Sequence, residues 1–178
     1  MSYFNTLAFG VYPYVAMAIL FIGSWIRYDR EQYSWKASSS QLLEKEKLRM
    51  GSILFHVGVL GIFFGHLFGL LTPVEIWHAI GVTAPMKQLV AMGAGGLFGL
   101  ICFIGLTILI QRRLFNPRIR ATSKKMDIVI LFLLYAQLIL GLISIGVSAG
   151  HLDGHEMMKL MMWAQNIMTL DLVDAVEN

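Results

Sequence analysis

Two histidines lie ten residues apart in a stretch without any charged residue. His56 and His66 bound the segment HVGVLGIFFGH, and Met50–Val74 contains no Asp, Glu, Lys or Arg. A histidine inside a membrane span is costly and marks a functional site by default. On a helix, ten residues rise about 15 Å, roughly half of the hydrocarbon core, and the two side chains point into the same half of the helix. The spacing predicts two metal centres stacked across a bilayer, most simply two haem irons.

Three glycines recur at four-residue intervals beside these histidines, at Gly61, Gly65 and Gly69. Small residues at this spacing usually allow two helices to pack closely. A second interpretation is clearance for a flat macrocycle, because a side chain beside an axial ligand would strike the ring. A histidine in a span can also be a hydrogen-bonded structural residue. We favour ligation here because two histidines and the intervening glycines occur together.

Four apolar runs are the elements that must position these side chains. The chain of 178 residues is 57% hydrophobic and 14% charged, which excludes an ordinary soluble domain. Each run exceeds the roughly 20 residues that a spanning helix needs. We predict an all-α, polytopic transmembrane helix bundle with short interfacial helices, forming one membrane-embedded domain. The predicted spans lie at about residues 5–26, 50–72, 88–111 and 128–150.

The basic residues predict the orientation of the bundle. Of the 14 Lys and Arg residues, all but Lys87 and Lys159 lie in Arg27–Arg49 and Arg112–Asp127. By the positive-inside rule, both segments are cytoplasmic and the N-terminus is outside. The net charge of +3 therefore reflects topology in a lipid membrane, not nucleic-acid binding. Within the first segment, Ser38–Arg49 predicts a short surface helix with serine N-caps.

Polar side chains at the predicted membrane edges have two interpretations each. Lys87, near the outer edge, is either a snorkelling lysine or a donor to a quinone carbonyl. Arg112 and Arg113 either enforce topology or pair with an acidic cofactor group such as a haem propionate. His151 and His155 have the i, i+4 spacing of a metal-binding helix, but an intervening turn sequence favours no metal there.

Three further patterns concern the helices themselves. Pro13 predicts a kink in the outer half of span one. Tyr135 and Gln137 predict interhelical hydrogen bonds from span four. The apolar segment Leu160–Leu170 is too short to cross a membrane and predicts a helix along its outer surface.

Several segments together closely resemble the gamma subunit of bacterial respiratory nitrate reductase, a dihaem cytochrome b. They are VYPYVAMAILFIGSWIRYD, QYSWKASSSQ, FHVGVLGIFFGHLFGLLTP, QRRLFNPRIRAT and DGHEMMKLMMWAQ. The resemblance implies a five-span subunit of the inner membrane that oxidises ubiquinol or menaquinol near the outer face. It also implies electron transfer through two b-type haems to an iron–sulfur beta subunit and a molybdenum-containing alpha subunit in the cytoplasm.

The resemblance also assigns roles to individual residues. It implies that His56 and His66 are axial haem ligands, with His56 nearer to the cytoplasmic subunits. It implies that Arg112 and Arg113 are the candidates for a haem propionate, Arg113 the stronger of the two. No separate catalytic side chain and no other metal are implied.

The quinol pocket implied by the resemblance contains Lys87 beside Gly65 and His66. In the family, the second histidine of each haem comes from a fifth span, which these 178 residues lack. We therefore expect half of each bis-histidine site here, from a truncated product or with a separate polypeptide supplying the fifth helix. The alternatives are a cytochrome b of another oxidoreductase, a membrane anchor without working haems, and a transporter. The transporter is disfavoured because the spans contain no Asp, Glu, Lys or Arg for ion coupling.

Overall fold

The computed structural model describes residues 3–34 and 43–171, and the regular elements among these residues are all helical. In chain order they are α1 (Tyr3–Glu31), α2 (Lys45–Leu71), α3 (Val74–Ala79), α4 (Ala84–Phe115), α5 (Pro117–Thr122), α6 (Lys125–Ser148) and α7 (His155–Thr169), with a short 3-10 turn at Gln32–Ser34. Helices α1, α2, α4 and α6 are long and apolar enough to cross a membrane, which confirms the all-α class and the four predicted spans. The serines predicted to cap a surface helix lie outside the described residues.

By their internal contacts, the helices form two compact units. The first unit comprises Met1–Ala37 and His155–Asn178 and contains α1 and α7. The second unit comprises Ser38–Gly154 and contains α2 to α6. All the candidate site residues from His56 to Arg113 lie in the second unit.

In the second unit, α2 and α4 run antiparallel with their backbones close together. A Cβ atom added to Gly58 would lie 2.5 Å from the Cβ of Cys102, and one added to Gly105 would collide with the backbone nitrogen of Phe55. These two glycines therefore permit an approach that any side chain would prevent. Gly58 faces Cys102 and Phe55 faces Gly105. Because the two helices are antiparallel, this register places His66 near the level of Ala94.

Helix α6 packs against a different face of α4 and is also antiparallel to it. The hydroxyl of Tyr135 lies 3.2 Å from Oγ1 of Thr107, and its ring stacks on Phe103 with centroids 5.1 Å apart. This confirms the interhelical hydrogen bond predicted for Tyr135. Gln137 is exposed instead, because two residues turn a helix by about 200° and direct its side chain away from α4.

In the first unit, α1 changes from π-helical to α-helical next to Pro13, and the kink predicted there stays a prediction. Thr6–Val11 is π-helical, and the α-helical part of α1 starts next to the proline, at Tyr12. Proline has no N–H to donate to the carbonyl four residues earlier, which is that of Phe9. The indole Nε1–H of Trp163 in α7 donates to this carbonyl oxygen at 2.9 Å. The proline thus makes an acceptor of α1 available to α7.

A second hydrogen bond joins α7 to α1. The hydroxyl of Tyr14 donates to the carbonyl oxygen of Ile167 at 2.9 Å, near the C-terminal end of α7. Met161 and Ile167 are the buried apolar residues of this helix. The segment Leu160–Leu170 is therefore mostly helical, as predicted, and its position along a membrane surface stays a prediction.

Candidate functional site

The two histidines of α2 are held through the same ring nitrogen. Nδ1 of His56 lies 2.7 Å from the carbonyl oxygen of Ser52, and Nδ1 of His66 lies 2.9 Å from that of Ile62. A carbonyl oxygen only accepts hydrogen bonds, so Nδ1 carries the proton and a neutral ring keeps its lone pair on Nε2. Metal-bound histidines are usually held in this way, with the other nitrogen donating to a backbone carbonyl. Both side chains are exposed, and in each it is Nδ1 that the backbone carbonyl engages.

The glycines around these histidines divide into packed and open positions. A Cβ atom at Gly61 would collide with the ring of Phe98, so Gly61 serves helix packing. At Gly65 and Gly69, an added Cβ atom would meet no atom of the described residues within 4 Å. The same holds for Gly93 of α4, which the antiparallel register places near the level of His66. The donor nitrogens and the open glycine positions fit a flat macrocycle ligated from α2.

Lys87 lies in the first turn of α4 and is buried, with 6% of its surface exposed. Its Nζ lies 4.8 Å from the centroid of the Trp77 ring, within the range of a cation–π interaction. The α2–α4 register places Lys87 near the level of Pro73, about 10 Å along the helix axis from His66. The structure therefore does not place Lys87 at the level of Gly65 and His66, beside which the resemblance puts it.

Gln88 organises the same end of the unit, although the sequence pattern did not indicate it. Only 5% of its surface is exposed. Its Nε2 donates to the carbonyl oxygens of Ser148 at 3.1 Å and His151 at 2.8 Å, and its Oε1 accepts from the backbone N–H of Gly154 at 2.9 Å. The available signal was an amide directly after Lys87 at the start of an apolar run. A buried amide costs about 1–3 kcal/mol unless it finds partners.

At the opposite end of the unit, both arginines contact protein groups. Arg112 is buried and donates to the carbonyl oxygen of Leu43 at 2.6 Å. Arg113 forms a partly exposed salt bridge with Asp127 at 3.1 Å and a hydrogen bond to Oγ of Ser123 at 3.3 Å. A propionate at Arg113 would have to share the guanidinium with Asp127, so its role in cofactor binding stays a prediction.

Positive charge is concentrated at this same end, which we call the basic end. Among the residues described for the second unit, Lys87 is the only Lys or Arg found elsewhere. The basic end carries Lys45, Lys47, Arg49, Arg112, Arg113, Arg118, Arg120, Lys124 and Lys125. The antiparallel helices thus gather the basic segments on one side, as the positive-inside interpretation requires.

His151 and His155 do not share a helix. The turn at Asp153 and Gly154 separates them, and α7 begins at His155. Across residues 3–34 and 43–171, no three His, Cys, Asp or Glu side chains form a group that could hold a metal ion.

Comparisons with known proteins point to one family. The family model described as nitrate reductase gamma subunit matches residues 5–177. The chain is 52% identical over 172 residues to the respiratory nitrate reductase 1 gamma chain of Escherichia coli (strain K12), an alignment that covers 95% of this chain and 75% of that relative. It is 50% identical over 169 residues to the respiratory nitrate reductase 2 gamma chain of the same strain, covering 95% and 74%. The nitrate reductase gamma chain of Bacillus subtilis (strain 168) is 42% identical over 135 residues, covering 76% and 60%.

Proposed function

Because the chain belongs to the nitrate reductase gamma subunit family, it is a membrane subunit of a multi-subunit oxidoreductase, and we propose that it binds b-type haem and oxidises quinol for that complex. The observation that carries this proposal is the matched pair of histidines in α2. His56 and His66 both anchor Nδ1 to a backbone carbonyl four residues earlier, so both offer Nε2. The same local bond at both positions leaves two equivalent imidazole donors on one helix, which is what two haems would require.

The residues of α2 would hold two haems, one at each histidine. The Nε2 atoms of His56 and His66 would bind the haem irons, and the open position at Gly65 would leave room beside His66. When bound, a b-type haem supplies reversible one-electron chemistry at its iron. The backbone hydrogen bond at each Nδ1 orients the ring and strengthens the donor at Nε2.

Quinol would bind at the end of the unit that holds Lys87. The ammonium donates to a quinol oxygen, and its positive charge favours the deprotonated form of that oxygen. Burial of Lys87 limits competition from water, so this hydrogen bond counts for more than an exposed one. Oxidation of one quinol to quinone releases two protons and two electrons.

The basic end would face the cytoplasm and the soluble subunits. Its excess of Lys and Arg supports this orientation by the positive-inside rule, in the inner membrane and with the N-terminus outside. An iron–sulfur beta subunit and a molybdenum-containing alpha subunit are the partners that we propose for this side. The open groove of about 770 Å³ at this end, lined in part by Lys47, Arg112 and Arg118, offers a surface for such a contact.

The test is a dithionite-reduced minus oxidised spectrum of membranes that contain the chain with its partner subunits, with haem quantified per chain. We expect a b-type band, and we expect His56→Ala and His66→Ala each to remove about half of it. His78→Ala is the matched control, because His78 is exposed and lies in α3. An unchanged band in both α2 variants would show that these histidines do not bind haem.

A further inference from the structure

We propose that Gln88 is a positioning residue for the quinol site, which it serves by holding the turn after α6 against the first turn of α4. The inference rests on the proposed role of Lys87 in quinol binding. It adds a residue that fixes the direction of the Lys87 side chain without touching the quinol.

The hydrogen bonds of Gln88 define the orientation of its amide. Both N–H groups of Nε2 have a carbonyl acceptor, at Ser148 and His151, and Oε1 accepts from the N–H of Gly154. A flipped amide would place Oε1 against two carbonyl oxygens and lose all three bonds. The buried amide therefore joins α4 to the end of α6 and to the following turn in one arrangement.

The turn also contacts α4 directly through Gly154. This glycine has φ +78°, and a Cβ atom on it would lie 2.8 Å from the carbonyl carbon of Ala84. Ala84 and Gln88 are four residues apart and share one face of α4, while Lys87 lies on the adjacent face. The turn therefore contacts the start of α4 at Ala84 and at Gln88, which precede and follow Lys87 in the sequence.

These two contacts support a helix start that has Pro85 in its first turn but no side-chain cap. The N-cap residue of α4, Thr83, forms no side-chain capping hydrogen bond. The first turn of a helix has free N–H groups and frays readily when it is not capped. With Gln88 and Gly154 in place, the backbone beneath Lys87 is fixed, and its ammonium lies over Trp77. Without them, the flexible lysine would sample directions that do not lead to a quinol oxygen.

The test is steady-state oxidation of menadiol with nitrate as acceptor, in membranes that hold the assembled complex. Gln88→Glu keeps the size of the side chain and the acceptor for Gly154 but removes the two N–H donors. We expect it to raise the KM for menadiol about tenfold, the effect of about 1.4 kcal/mol, while kcat changes less than about twofold and haem per chain stays constant. Gln137→Glu is the matched control, because Gln137 is an exposed amide of α6.

A second variant, Gly154→Ala, disturbs the turn while Gln88 stays intact. We expect a similar rise in KM, and we expect the double variant to show less than the product of the two effects, because both act through one contact. If Gln88→Glu prevents assembly of the complex, the KM of the Gly154→Ala variant alone tests the positioning role. A wild-type KM in the assembled Gln88 or Gly154 variants, with a raised KM in Lys87→Ala, would overturn the positioning role and leave the quinol site standing. A wild-type KM in Lys87→Ala would instead overturn the quinol site itself.

Discussion

Glycines along α2 differ in what a methyl group would meet, and this distinguishes positions of helix packing from open positions, where we propose that haem binds. At Gly58 an added Cβ atom would lie 2.5 Å from Cys102, whereas at Gly65 it would meet no described atom within 4 Å. Both residues lie in the same helix and carry no side chain, so the sequence alone does not show which of them packs against another helix. The contact partner, which comes from α4, is what distinguishes them.

This difference predicts opposite phenotypes for two identical substitutions. Gly58→Ala should destabilise the apoprotein by about 1–3 kcal/mol, because α2 and α4 must separate. Gly65→Ala should leave that stability unchanged or raise it by up to about 1 kcal/mol, because alanine favours a helix. Gly65→Ala should nevertheless lower haem content. The measurements are unfolding by SDS in detergent micelles and haem per chain, and full haem content in Gly65→Ala would argue against a macrocycle beside this residue.

At the residue scale, the sequence alone identified His56 and His66 as candidate haem ligands but did not indicate the organisation around Lys87. His56 and His66 were evident because an imidazole is rare in an apolar run. Gln88 was missed because its partners, His151 and Gly154, lie more than sixty residues away in sequence. Hydrogen bonds between such distant segments depend on helix register, which the pattern of apolar residues does not define.

At the scale of elements, the apolar runs located the helices but not their ends. Helix α2 begins at Lys45, and α4 continues to Phe115, several residues beyond the uncharged runs. A charged residue ends an apolar run without ending a helix, because only a cap or a proline stops the backbone pattern. The α4 helix ends where Asn116 caps the short helix that starts with Pro117. Prediction from hydropathy therefore underestimates helices that protrude from the membrane.

We predict that the hydrogen bond between Trp163 and the carbonyl of Phe9 depends on Pro13, which has no N–H to donate to that carbonyl. Trp163→Phe should cost about 1–3 kcal/mol, because the carbonyl loses a donor. In a Pro13→Ala background the cost should fall below about 1 kcal/mol, since residue 13 then has an N–H for the same carbonyl. Trp25→Phe, which alters an exposed tryptophan of α1, is the control. Equal costs in both backgrounds, measured by SDS unfolding, would exclude the coupling.

At the scale of the whole molecule, the charge distribution connects the fold to the direction of the electron transfer that we propose. In the second unit, the basic end and Lys87 lie at opposite ends of antiparallel helices. If the basic end is cytoplasmic, protons from quinol leave at the outer side, while electrons move inward to the soluble subunits. Charge separation then follows from geometry and needs no proton channel. The orientation predicted from the positive-inside rule therefore decides whether quinol oxidation contributes to the membrane potential.

This orientation can be tested with cysteine labelling. The chain has one cysteine, Cys102, which is buried and can be replaced by alanine. In that background, His78→Cys and Ala121→Cys place a thiol at an exposed position near each end of the second unit. A membrane-impermeant maleimide should label His78→Cys in intact spheroplasts and Ala121→Cys only after lysis. Labelling of Ala121→Cys in intact spheroplasts would reverse the orientation. Protons from quinol would then be released into the cytoplasm, and the electrons would have to move outward, away from any cytoplasmic partner.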